Sequence, residues 1–140
     1  MGAATLIESL RSEPRFRAVV AECPFATFCE IARDRLTQHG VPVVFAGPLV
    51  EGGFLYARIR YGIDLDRASP VEALRRSATP LLLIHGTADT NIPIRHSREL
   101  PAARPQGTGF WEVEGAGHVS SLGGEGPAYA RRVLAFLTAH

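Results

Sequence analysis

Two short stretches carry residue types that can do acid–base chemistry together. HGTADTNIP, residues 85–93, holds Asp89, and EGAGHVSS, residues 114–121, holds His118. A carboxylate that accepts a hydrogen bond from an imidazole fixes the ring's tautomer and stabilises its protonated form. Paired in this way, His118 is a general base awaiting a nucleophile. Cys23 is a candidate for that role, but nothing near it in the sequence supplies the electropositive, accessible setting a reactive thiol needs. It reads instead as a small buried residue beside a pocket. Ser120 and Ser121 follow His118 too closely to be its partner. His85 reads as structural, its ring bonding a nearby loop, His39 as a helix-end residue and His96 as a helix-surface one. Cys23, Cys29 and a histidine lack the C-x-x-C or H-x-x-x-H spacing of a zinc site, so no metal centre is expected.

Asp89 and His118 work together only if strands bring their loops side by side. RAVVAE (17–22) is a short β-branched run and reads as a strand buried on both faces. After Pro80, LLLIHG is a second strand of consecutive aliphatics stopped by Gly86, and GFWEVE (109–114) is a third. Helical spacing marks residues 2–11, a helix from Phe28 to near His39–Gly40, SPVEALRRS with its early proline, IPIRHSREL, and a C-terminal helix through Tyr129, Val133, Phe136 and Leu137. Such alternation implies an α/β layer with a parallel sheet and right-handed crossovers. Asp89 and His118 then both fall just beyond strand ends, where parallel sheets gather functional groups.

The stretch VPVVFAGPLVEGGFLYA, residues 41–57, is apolar but is broken by Pro42, Pro48, Glu51 and Gly52–Gly53. A spanning helix wants about 20 predominantly apolar residues, so no membrane span is expected. Residues 41–66 are expected to form a cover over a pocket, with one helix around Leu49–Tyr61. Phe25, Leu49, Val50, Phe54 and Tyr56 are candidates for the pocket lining. Of the residues, 46% are hydrophobic and 21% charged, as in a globular domain with a core. The net charge of +1, with every basic residue an arginine, argues against a nucleic-acid partner. Two cysteines are too few for a disulfide framework, and no leader pattern is present, so a reduced, cytoplasmic setting is expected.

Taken together, these residues resemble the α/β-hydrolase family. PLLLIHG followed by ADTNIP is similar to that family's acid loop, and GAGH to its histidine loop, in the family's chain order of nucleophile, acid, histidine. Met1–Gly2 followed by AATLIESL resembles the last two positions of the G-x-S-x-G elbow and the helix after it. ECPFATF resembles the loop that follows the next strand in serine-aminopeptidase-like and Bem46-like hydrolases. The resemblance implies a partial α/β-hydrolase fold: about three parallel strands flanked by helices, with a small helical lid insertion. Residues 1–140 would be the C-terminal half of one domain, starting one residue after the nucleophile serine. It implies hydrolysis of an ester, amide or thioester in a small molecule or peptide, with Asp89 and His118 as acid and base and no cofactor. Met1 and Gly2 would be the elbow remnant and Met1 part of the oxyanion hole. Two alternatives stand beside it: a catalytically inactive packing or pairing module, and an acyltransferase or dehalogenase on the same scaffold.

Overall fold

The computed structural model describes residues 1–140, except for the surroundings of Leu122, Gly124 and Glu125. The central strand explains the rest of the architecture. Strand β2 (Leu81–Gly86) is an aliphatic run because it is buried on both faces and paired on both edges. Strand β1 (Val19–Glu22) pairs with it in parallel, Val19 opposite Leu81, and β3 (Thr108–Val113) pairs on the other side, with Thr108 opposite Leu81. The order is β1-β2-β3, so β1 and β3 are both edges.

Helices cover the two faces unequally. On one face, Ile7 and Leu10 at the end of α1 (Gly2–Ser9), Ala73 and Leu74 of α4 (Pro70–Arg75) and Leu100 of α5 (Arg95–Ala103) pack on Val19, Ala21, Leu81 and Leu83. On the other, Tyr129, Val133 and Phe136 of α6 (Ser121–Ala139) pack on Leu82, Ile84 and Val113. α6 lies over β2 and only partly covers β1. β1 is therefore buried at Val19 and Ala21 but half-buried at Val20 and Glu22, not buried on both faces as its composition suggests.

A third, smaller cluster of Ala4, Phe25, Ile31 and Ile92 sits under α2 (Phe28–Gln38). The Thr27 hydroxyl oxygen accepts the Glu30 N–H at the start of α2 and donates to the Glu30 carboxylate, a reciprocal cap. Gly40, at φ +88°, lets the chain leave the helix end.

Helix α3 (Val43–Tyr61) packs against α2, and it starts six residues earlier than the expected Leu49. Pro48 lies inside it. The hydrogen bond that Pro48 cannot donate would go to Val44, an exposed residue whose carbonyl water can satisfy. Gly62, at φ +69°, caps the helix end. No helix among the described residues is long and apolar enough to cross a membrane.

Candidate active site

The site is built where β2 and β3 end. Gly86 closes β2, and the chain turns through Thr87 and Ala88 to Asp89. The Asp89 Oδ1 accepts the N–H groups of Asn91 (2.8 Å) and Ile92 (2.9 Å), an Asx-type turn that fixes the carboxylate before any histidine is considered. Beyond β3 the chain turns through Gly115, at φ +68°. Backbone bonds then stitch the two loops: Thr87 N–H donates to the Val113 carbonyl (2.9 Å) and Ala88 N–H to the Ala116 carbonyl (3.0 Å). Gly115 N–H donates to the Thr87 hydroxyl (2.9 Å).

That stitching brings the two sequence candidates together. His118 Nδ1 lies 2.8 Å from Asp89 Oδ2. An ionised carboxylate only accepts, so Nδ1 carries the proton and Nε2 keeps a free lone pair. The Asp89 side chain is fully buried and that of His118 is 31% exposed. Burial pushes the Asp89 pKa up, but hydrogen bonds from the Ile92 N–H, His118, the Cys23 thiol and the Asn91 N–H outweigh it and hold the carboxyl below its ordinary value. Asp89 is thus ionised and directional at neutral pH.

His85 supports the acid from beneath. Its Nε2 lies 2.9 Å from the Ile92 carbonyl and 3.3 Å from Asp89 Oδ2, both acceptors, so Nε2 bears the proton and Nδ1 accepts from the Ser97 hydroxyl at 2.6 Å. Burial lowers its pKa and keeps it neutral. This is the loop-bonding role expected of it; the sequence offered no signal for Ser97 as its partner. His96 differs from expectation. It is buried, because Nε2 finds Asp34 of α2 (2.8 Å) and Nδ1 accepts the Ala26 N–H (3.4 Å).

Cys23 is buried at the end of β1, and burial pushes its thiol up to about 11, far from a thiolate at neutral pH. Its backbone has φ +49°, and Val119, beside His118, has φ +51°. Positive φ is costly for both residues, most of all for the β-branched valine. These two strained positions border the site.

A cavity of about 600 Å³ opens at His118 between α2 and α3. Phe25, Phe28, Ile31, Val50 and Phe54 line it, with the Phe28 and Phe54 rings stacked 5.6 Å apart. Of the expected lining residues, Phe25, Val50 and Phe54 are there, and Leu49 and Tyr56 are not. Leu49 points outward, 55% exposed, as does Tyr56, while Val50 points inward as expected. Ala46, Val50, Gly53 and Phe54 share one helical face, and Leu49 falls off it. Met1 stands at the rim of this cavity with His118. Met1 and Gly2 also line a smaller neighbouring cavity that reaches Cys23.

No protein-family model matches the chain. The uncharacterized protein YqkD of Bacillus subtilis is 26% identical over 119 residues, 84% of this chain and 38% of that protein. Esterase LipC of Mycobacterium tuberculosis is 40% identical over 55 residues, 36% of this chain and 14% of that protein. A Pyrococcus furiosus esterase superposes with a TM-score of 0.68 at 21% identity, over 98% of this chain and 49% of that structure. The chain spans well under half the length of the curated relatives it matches and about half of that esterase. Three parallel strands flanked by helices, and superposition on hydrolases along nearly the whole chain, identify its architecture: it carries part of the α/β-hydrolase fold.

Proposed function

We propose that this chain supplies the acid, the base and part of the oxyanion hole of a serine hydrolase, as the C-terminal half of its domain. The nucleophile would be contributed by residues preceding Met1. The observation that carries the reading is the 2.8 Å bond from His118 Nδ1 to Asp89 Oδ2, with the opposite ring nitrogen free beside an apolar cavity. In this mechanism His118 Nε2 takes the proton of a serine hydroxyl as it attacks the substrate carbonyl. Asp89 holds the tautomer and stabilises the imidazolium, and His118 then returns the proton to the leaving group. Met1, which lines the same cavity as His118, would offer its backbone nitrogen to the oxyanion. The chemistry requires no metal or cofactor.

The esterase relatives support an ester, amide or thioester substrate, in a small molecule or a peptide, and the cavity suits an apolar acyl or aryl group. Unpaired Cys23 and Cys29 accord with a reducing, cytoplasmic setting. The test is p-nitrophenyl ester turnover. The chain alone should be no faster than its His118→Ala variant, since losing the serine costs a comparable enzyme on the order of 10⁶ in turnover. Extending the coding frame upstream to a Gly-x-Ser should restore turnover that depends on His118. A burst from the chain alone that disappears in His118→Ala would overturn the upstream nucleophile, and an extended chain without turnover would overturn the hydrolase.

A further inference from the structure

We infer that Cys23, His85 and Asp89 form a binding site for a thiophilic divalent cation, zinc or cadmium, directly beneath His118. One donor atom from each residue lies within 4.8 Å of the other two, and all three residues are buried. The donors are a sulfur, an imidazole nitrogen and a carboxylate oxygen, the set that tetrahedral zinc takes in proteins. They come from the end of β1, the end of β2 and the loop after it, so the parallel sheet gathers what no sequence spacing announces.

The geometry is close to what a cation requires. Zinc bonds of about 2.0–2.3 Å place tetrahedral donors roughly 3.3–3.7 Å apart. His85 Nε2 and Asp89 Oδ2 already stand at 3.3 Å; the sulfur must close in, and the Ile92 carbonyl, 2.9 Å from Nε2, must turn aside to make room for the ion. Of the three residues, Cys23 lines the smaller cavity, together with His118 and Val119, and the ion would enter from that side.

The proton balance closes within the observed hydrogen bonds. His85 must free Nε2, now pointed at the Ile92 carbonyl, by moving its proton to Nδ1. Ser97 accommodates the exchange, because its oxygen, 2.6 Å from Nδ1, can accept that proton while its own hydroxyl donates to the Pro24 carbonyl at 3.4 Å. The Cys23 thiol gives up one proton to solvent as its sulfur binds the cation, as coordinating thiols do. Bound this way, Asp89 no longer serves His118 alone. Resting on the function proposed above, the ion is therefore an inhibitor of the acid–base pair.

The test uses the chain itself and needs no turnover. Cadmium is titrated into the Cys29→Ser variant, and the thiolate-to-cadmium charge-transfer band is followed in the ultraviolet. Cys23 is then the only thiol present, so a band saturating at one equivalent, and displaced by zinc, assigns the site without a Cys23 variant. His85→Gln in the same background should weaken binding at least tenfold. No band, a band that appears only when Cys29 is present, or an unchanged affinity in His85→Gln would each overturn the site. The outcome is independent of ester turnover, so failure here leaves the hydrolase reading standing, and the reverse.

Discussion

Gly86 at the end of β2 meets Ala116 of the histidine loop so closely that a Cβ built on Gly86 would lie 2.1 Å from the Ala116 carbonyl oxygen. This approach lets the acid loop and the histidine loop touch. The same carbonyl accepts the Ala88 N–H, one residue before Asp89. Any side chain at position 86 must push the backbone of one loop away from the other. Gly86→Ala is expected to destabilise by about 3 kcal/mol, the upper end of overpacking costs, because the neighbour is backbone and cannot rotate aside. The variant should also lose the His118 Nδ1–H resonance that a hydrogen bond to Asp89 produces. A urea melt within about 0.5 kcal/mol of the parent, the range of ordinary surface changes, would show that the loops have slack.

The close approach of Gly86 to Ala116 also marks the limit of what the sequence shows. The aliphatic run of β2 and the placement of Asp89 and His118 beyond strand ends are local signals, and the observed fold contains both. The inward face of α3 was not legible: the helix is apolar on every side, so no periodicity distinguishes Leu49 from Val50. The burial of His96 was hidden for a different reason. Its carboxylate partner, Asp34, is 62 residues away, on a helix whose docking is a tertiary fact. Cys23, His85 and Asp89 likewise come together only once β1 and β2 are paired.

In the form extended upstream, Asp89→Asn is expected to cost on the order of 10⁴ in turnover, because an amide can hold the imidazole in the wrong tautomer. His118→Ala should cost at least as much. The double variant should be little worse than either single one, since groups acting as one unit are lost together. His85→Ala removes the bonds to Ser97 and the Ile92 carbonyl, so it should lower stability while leaving turnover per folded molecule nearly unchanged. Near-full activity in Asp89→Asn together with none in His85→Ala would mean the acid has been misassigned.

Glu8 offers a prediction about pH. Its Oε1 is buried without a hydrogen-bond partner, and burial raises its pKa despite Arg11 at 3.2 Å from Oε2. A folded-state pKa above the unfolded value means that folding favours the protonated acid. The stability this proton contributes is fully present below the unfolded pKa and is lost as pH rises through the folded one. At pH 7 the charged form therefore works against the fold. Glu8→Gln should melt at a higher temperature than the parent at pH 7, and the gap should shrink as pH falls below 4.5, the ordinary value. Melting curves at pH 7 and pH 4 decide it. A variant less stable than the parent at pH 7 would show that the Arg11 pair outweighs the buried charge.

The outer surface should govern how the chain behaves in solution. β1 is an edge whose second side has no strand partner, and parallel edges with open N–H and C=O groups template association. Helix α3 adds to this, because Val43 is 80% and Ile59 77% exposed, and Val44, Phe45, Leu55 and Tyr56 are exposed along the same helix. This many exposed apolar side chains on one helix favours burial against another surface. The chain alone is therefore expected to self-associate at micromolar concentration and to bind a hydrophobic dye. Val43→Gln with Ile59→Gln should reduce both, since neither residue packs in the core, and should leave the melt within about 0.5 kcal/mol. Loss of dye binding with persistent association would assign the contact to an edge of the sheet, β1 or β3. A monodisperse monomer with a sharp cooperative melt would show that the three-stranded sheet is sufficient on its own.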